Sequence, residues 1–278
     1  MIRIIINADD LGKDSQVNDK IAEALQNGFI TSSTIMANTE LWDKVHTIVS
    51  DNPAASFGVH LNLTEGRALT DQPVFRERAV VDEKNCFTKK IRNVNQYDPE
   101  LQDAVRQEWD AQIKKVVEEE GIVVTHLDGH HHIHADYAFR EILSSLTNKW
   151  HIKYVRSRYI YPQKGLAMMI RYLVTNISPS FWKKMTDSKK NRLFSVIHSF
   201  AETELWRQYM SQQCQMTDYF DSYAHFCNIL KEGNSKEDSL VELMCHPGHP
   251  NFEEEYGMIK NSLVNINSSI DLISYKFI

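Results

Sequence analysis

The chain has 278 residues, is 42% hydrophobic and 24% charged, and carries a formal net charge of −6. That composition suits a globular protein with a sizeable core and argues against disorder. With a pI near 6.1 there is no basic field for a polynucleotide backbone, so nucleic acid is excluded as the expected partner and a small or neutral ligand is favoured.

The N-terminus opens on Met1-Ile-Arg-Ile-Ile-Ile6, without the long apolar region or small-residue cleavage site of an export signal. Cys86, Cys214, Cys227 and Cys245 form no CxxC pair, which suits a reducing, cytoplasmic setting. Short β-rich runs then alternate with helical patterns. Strands are predicted over Ile2–Ile6, Thr31–Met36, Ser56–Leu63, Val123–Leu127, Tyr154–Ser157 and Leu240–Cys245. Helices are predicted near Val17–Gln26, Trp42–Val49, Pro99–Glu120 and Phe139–Thr147. This alternation reads as parallel βα units, and the length fits one α/β domain, a distorted (β/α) barrel of the TIM type. Catalytic groups are then expected where strands end and loops begin.

Two stretches read as insertions on that barrel: polar residues 85–97, and residues 159–213, which mix Lys and Arg with Trp, Tyr and Phe and are expected to form a helical lid or dimerisation segment. Within the second, Leu166 to Ile177 is apolar but carries Arg171 and falls short of the ~20 residues needed to span a bilayer. It is read as a helix that covers the barrel or pairs with a second copy, so a homodimer is one expectation and a membrane partner is not. The Lys pairs at 183–184 and 189–190 read as a solvated face.

Four polar constellations sit at predicted strand ends. In Asn7-Ala-Asp9-Asp10-Leu-Gly12, two adjacent carboxylates should raise one another's pKa unless a cation intervenes. A metal ion would resolve the conflict; the alternative is a turn in which Asp caps the next helix. In Gly58-Val-His60-Leu-Asn62, alternation places Gly58, His60 and Asn62 on one face, where His60 is either a core histidine or part of a site. In Thr125-His-Leu-Asp-Gly-His130-His-His-Ile-His134, five of the chain's twelve histidines fall within nine residues. His126, Asp128 and His130 share one face of an extended segment, and Asp128 is placed to fix the tautomer of a ligand imidazole. A closed structural zinc site is the alternative, but no Cys is near. In Glu242-Leu-Met-Cys-His246-Pro-Gly248, the turn aims His246 out of a strand end as a ligand, a general acid or a loop residue. Arg156 ends another strand, where it either orients a carboxylate or is exposed. No G-x-S-x-G elbow, Walker loop or GxGxxG fingerprint occurs, which weighs against covalent catalysis and nucleotide binding.

Taken together, the NADDLG, GVHLNLTEG, THLDGHHHIH and MCHPG motifs resemble those of the YdjC-type carbohydrate deacetylases, the family that includes chitooligosaccharide deacetylase. The resemblance spans residues 7 to 248 and is weak over 159–213. It implies a distorted barrel that hydrolyses the acetamido group of N-acetylated amino sugars, N-acetylglucosamine or chitooligosaccharides, with one divalent ion, Mg²⁺ or Zn²⁺. It further implies Asp10, His60 and His130 as metal ligands, Asp9 as general base, His246 as general acid and Arg156 as the residue that orients the base. Extended-chain alternation is expected to point Asp9 and Asp10 in different directions. Phe181, Trp182 and Tyr219 are candidates for stacking on a sugar face or for core and dimer packing. The rival readings are a multi-metal phosphoesterase on the same kind of barrel and a non-catalytic, metal-dependent sugar-binding protein.

Overall fold

In the computed structural model, which describes residues 2–158, 201–223, 225, 238–263 and 270–278, the chain begins with strand β1 (Ile2–Leu11). This strand is buried on both faces. Ile2, Ile4, Ile6 and Ala8 join the main apolar core, whereas Ile5 packs with Tyr154, Leu240 and Tyr275 in a second cluster. Asn7 and Asp9 continue the Ile5 face as buried polar groups. The strand therefore runs well past the expected end at Ile6. Its polar residues are not a turn but the lining of a polar interior.

The remaining strands are β2 (Ser32–Ile35), β3 (Ser56–Leu61), β4 (Val124–Gly129), β5 (Tyr154–Val155), β6 (Tyr219–Ser222), β7 (Leu240–Cys245) and β8 (Ile270–Leu272). They pair in parallel in the order β5-β4-β3-β2-β1-β7-β6, and β8 pairs with the start of β1. A parallel bridge between Tyr154 and Gln215 draws the β5 edge towards the chain entering β6. The result is a curled sheet, the distorted α/β barrel expected. β6 and β8, of four and three residues, are too short for alternation to reveal and were not expected.

Helices cover the outer face. α1 (Ser15–Gln26) starts where the Asp14 side chain accepts a hydrogen bond from Val17 N at 2.8 Å, so the cap is Asp14 and not the Asp9–Asp10 pair. It buries Val17, Ile21, Ala24 and Leu25, one stripe at helical spacing. Each fully buried aliphatic side chain of this kind contributes ~1.5–3 kcal/mol. α2 (Trp42–Asp51), α3 (Pro73–Glu77) and α5 (Arg140–Trp150) follow the same logic. α4 (Pro99–Lys114), with Pro99 in its first turn and a π turn over Lys115–Glu119, buries two polar residues, Glu108 and Gln112. Gln112 accepts from Asn62 N at 2.9 Å and donates to Asn62 O at 2.8 Å, while Glu108 accepts from Leu69 N and Thr70 N. α4 thus clamps the loop leaving β3.

Of the two expected insertions, residues 85–97 include a 3₁₀ turn over Lys90–Asn93, from which Arg92 donates to His131 O at 2.8 Å and pairs with Asp136. That segment fastens the histidine-rich loop. In the other, residues 201–210 are helical and bury Trp206 and Met210. The expectations for Leu166–Ile177, the two Lys pairs, Phe181 and Trp182 lie outside the described residues. Tyr219 is described, and it is buried in the core. No described helix is long and apolar enough to cross a membrane. Cys86, Cys214 and Cys245 are free thiols.

Candidate active site

Asp9 and Asp10 near the end of β1, His60 in β3, Asp128 and His130 at the end of β4, Arg156 just after β5 and His246 just after β7 meet at the C-terminal ends of the strands. This is the end of a parallel barrel where loops can vary without disturbing the core. These seven residues, drawn from five separate strands or their exits, converge there.

The strand itself explains how two adjacent carboxylates reach one pocket. Between Ala8 and Leu11 the register of β1 against β2 shifts, and Asp10 takes a left-handed φ of 73°. Asp tolerates that region better than bulkier residues do. The irregularity breaks the ordinary alternation, so both side chains enter the lumen, Asp9 towards Arg156 and Asp10 towards the histidines.

Asp9 is gripped in two-pronged fashion. Arg156 Nη1 donates to Oδ2 at 2.7 Å and Nη2 to Oδ1 at 2.6 Å, and Asn7 Nδ2 adds a bond to Oδ1 at 2.9 Å. The same fully buried guanidinium reaches Asp128 Oδ2 at 2.8 Å and Glu242 Oε1 at 2.7 Å. Burial alone would raise the Asp9 carboxyl, but the Arg156 charge and hydrogen bonds, with His60 and His246 behind them, hold it well below the usual carboxylate range. Mutual elevation of the two aspartates, expected from adjacency, does not occur. Each has its own cationic neighbours.

Asp10 faces imidazoles. His60 Nε2 lies 3.3 Å and His130 Nδ1 2.9 Å from Asp10 Oδ1, yet this buried oxygen has no aligned hydrogen-bond partner. Burial works against its charge, but His130 and His60 hold it below the ordinary range. On the far side of each ring stands another carboxylate: Asp128 Oδ1 is 2.7 Å from His60 Nδ1, and Glu65 Oε2 is 2.9 Å from His130 Nε2. Each outer nitrogen is thereby the natural N–H donor, which leaves the inner nitrogens as lone pairs aimed at Asp10. With neutral rings three acceptors converge on one point, a conflict that a cation there, or a proton on an imidazole, relieves. The surplus negative charge also shows in His60, which burial would lower but which Asp128 and Asp10 push up to about 10.

His246 stands across the pocket. Its Nε2 is 4.0 Å from Asp9 Oδ2, its ring stacks on Phe252 at 4.4 Å, and Glu255 takes both its backbone N–H at 2.9 Å and its Nδ1 side at 3.4 Å. Burial depresses the imidazole, but Glu255 and Asp9 outweigh it and raise His246 above its ordinary value. Gly248, at φ 83°, lets the turn after His246 press against α1; an added Cβ would sit 2.8 Å from Gln16 O. Gly58 serves the other wall, since a Cβ there would meet His126 O at 2.6 Å and the His126 ring at 2.7 Å.

Glu65, Glu242 and Glu255 were not assigned from the sequence. Glu65 lies inside GVHLNLTEG and Glu242 opens the strand that ends at His246, so both were in view within the motifs. Glu255, on the helix Glu253–Leu263, carried no signal beyond an acidic first turn. The loop that places Glu65 is built by Asn62, whose Oδ1 accepts from Thr64 N and Glu65 N. Among the described residues, three groups have metal-ligand spacing: Asp10/His60/His130, Glu65/His130/His131 and Asp9/His60/Asp128. They share His60 and His130, and Asp9 and Asp128 already hold Arg156. They therefore describe one centre and its surroundings.

The chain matches the profile of the YdjC-like proteins over residues 3–271. It is 33% identical to a carbohydrate deacetylase of Clostridium beijerinckii over 259 residues, 89% of this chain and 82% of that one. A chitooligosaccharide deacetylase of Salmonella paratyphi B is 27% identical over 247 residues, 88% of this chain and 81% of the relative. Among solved structures, a protein of Enterococcus faecalis assigned to cellobiose-phosphate cleavage superposes with a TM-score of 0.66 at 21% identity, covering 99% of this chain and 98% of its own, a likeness of fold.

Proposed function

Because the chain belongs to the YdjC-like protein family, we propose that it is a metal-dependent carbohydrate deacetylase that hydrolyses the acetamido group of N-acetylated amino sugars. One observation carries the metal dependence: the buried, unpartnered Asp10 Oδ1 facing two imidazole nitrogens whose opposite nitrogens are held by carboxylates. Asp10, His60 and His130 would hold the ion. A set of one carboxylate and two imidazoles leaves positions open for water and substrate, as catalysis requires, and favours zinc-like ions over Mg²⁺, which prefers oxygen. When bound, the ion polarises the acetamido carbonyl and acidifies water, which is what allows so weak a base as Asp9 to serve.

The chain's own residues do the rest. Asp9 Oδ2 takes the proton of the attacking water while Arg156 and Asn7 fix the carboxylate's orientation. Water oxygen joins the acyl carbon and the C–N bond breaks. His246, whose protonated form Glu255 favours, delivers a proton to the departing amine, which without it is a very poor leaving group. The products are acetate and a free amino sugar.

The test is acetate release from N-acetylglucosamine and its short oligomers by protein stripped with a chelator and then resupplied with Zn²⁺ or Mg²⁺. Release only after resupply, with about one ion per chain, is expected. Undiminished release by metal-free protein contradicts the metal dependence, and none from any of these sugars with either ion contradicts the deacetylase reading. Two or more ions per chain with phosphatase activity would favour the phosphoesterase.

A further inference from the structure

The lumen below the site holds a residue from the far end of the chain. Tyr275, in the 3₁₀ turn Tyr275–Phe277, is 2% exposed and packs with Ile5, Tyr154 and Leu240. Its backbone N–H donates to Ser56 Oγ at 3.1 Å, and the Tyr154 hydroxyl donates to the carbonyl of Ile278 at 2.8 Å, so the last residues are fastened to two strands.

Two buried routes lead from this ring to Asp9. In the first, the Tyr275 hydroxyl donates to Glu242 Oε2 at 2.6 Å, Glu242 Oε1 receives Arg156 Nε at 2.7 Å, and Arg156 grips both Asp9 oxygens. In the second, the Tyr275 ring stacks on His126 at 4.0 Å and 18°, His126 Nε2 lies 3.2 Å from Asn7 Oδ1, and Asn7 donates to Asp9 Oδ1. Both routes end on the groups that aim Asp9. A tyrosine serving only as an apolar plug would need neither the hydroxyl bond nor the parallel stack.

We infer that Tyr275 is a positioning residue for the base: through Glu242–Arg156 and through His126–Asn7 it sets the orientation of the Asp9 carboxylate, so that the C-terminal turn is part of the catalytic apparatus. The effect on turnover rests on the deacetylase reading; the physical connection to Arg156 does not. Removing the hydroxyl leaves Glu242 Oε2 without its donor and frees one end of the guanidinium's anchorage. Because neither route from Tyr275 passes through Asp10, His60 or His130, the loss falls on turnover and not on metal binding.

The experiment compares the parent with Tyr275→Phe and, as a second route to the same bond, Glu242→Gln. The Arg156 Nε–H resonance, assigned with Arg156→Lys, reports the anchorage in metal-loaded protein, and acetate release reports turnover. Both variants are expected to shift that resonance and speed its exchange with water. Tyr275→Phe should lower kcat by about 10-fold, at the low end for residues that support a site from behind, with KM and metal content within twofold of the parent. An unmoved resonance in a folded Tyr275→Phe protein overturns the inference whatever the sugar activity. A displaced resonance with unchanged kcat in an active parent overturns the positioning role. A parent that releases no acetate, while the resonance moves, sinks the deacetylase reading and supports the connection.

Discussion

Around Asp9 the carboxylates share a buried guanidinium, whereas Asp10 Oδ1 faces two imidazoles, with Lys13 Nζ 3.7 Å from the other Asp10 oxygen and 3.1 Å from Glu65. The two residues are neighbours in the chain and both are buried, yet their surroundings differ in the kind of cation at hand. Arg156 carries a permanent charge and offers five donors in a fixed fork, which Asp9, Asp128 and Glu242 occupy. His60 and His130 are charged only when protonated, and their outer nitrogens are committed to Asp128 and Glu65. The arginine half is electrostatically complete. In the histidine half the buried Asp10 Oδ1 has no aligned partner, and on the proposed reading this difference separates the oxygen that handles a proton from the one that would hold an ion.

The largest effect should come from breaking the complete half. Arg156→Met strands three buried carboxylates, and losing one partner of a buried ion pair costs about 3–5 kcal/mol. Denaturant unfolding should show a loss of that size together with loss of turnover. A stability within experimental error of the parent would mean that Arg156 is not the keystone of the lumen.

In the histidine half, Glu65→Gln keeps the ring's neighbour in shape but removes the charge that holds His130 Nε2 as donor. Metal affinity should fall by about 10- to 100-fold, the usual cost of removing an outer partner of a ligand histidine, with the fold intact. Unchanged affinity by competitive chelator titration would show that His130 is oriented by something else.

A smaller effect is expected at the pocket's far wall. Glu255 helps raise His246 above its ordinary pKa, so the acid form persists to higher pH, and kcat should decline only as pH climbs through that raised value. Glu255→Gln removes the larger of the raising influences and leaves Asp9 to work against burial. The basic limb of the kcat profile should therefore move to lower pH; a limb that stays put would assign it to another group.

Much of this division was legible in the sequence and part of it was not. Period-two alternation placed His60, Asp128 and His130 on inward faces, and the strand-then-turn pattern put His246 at a β exit. The Asp9–Asp10 pair was visible, but not the left-handed Asp10 that turns both inward, because that conformation depends on register against β2. Spacing alone could not say which cation each aspartate meets, and only the family resemblance pointed Arg156 at Asp9, since Arg156 is 147 residues from Asp9 and Tyr275 is 33 from Glu242. β1 was cut short at Ile6 because polar residues in a strand normally mean its end, and here they mean a polar lumen. Glu65 and Glu255 act from loop and helix positions whose distance to a histidine exists only in the folded chain.

The most direct measurement sets the neighbours against each other. Asp9→Asn and Asp10→Asn, each stripped of metal, are titrated with Zn²⁺ by calorimetry and then assayed for acetate release at saturating metal. The account predicts that Asp9→Asn binds the ion as the parent does but is inactive, since an amide cannot accept the water's proton. Asp10→Asn binds it much more weakly and recovers part of its activity as metal is raised, because an amide oxygen is a poorer ligand than a carboxylate. Loss of the ion by Asp9→Asn, with full retention and no activity in Asp10→Asn, would contradict the account by reversing the two roles.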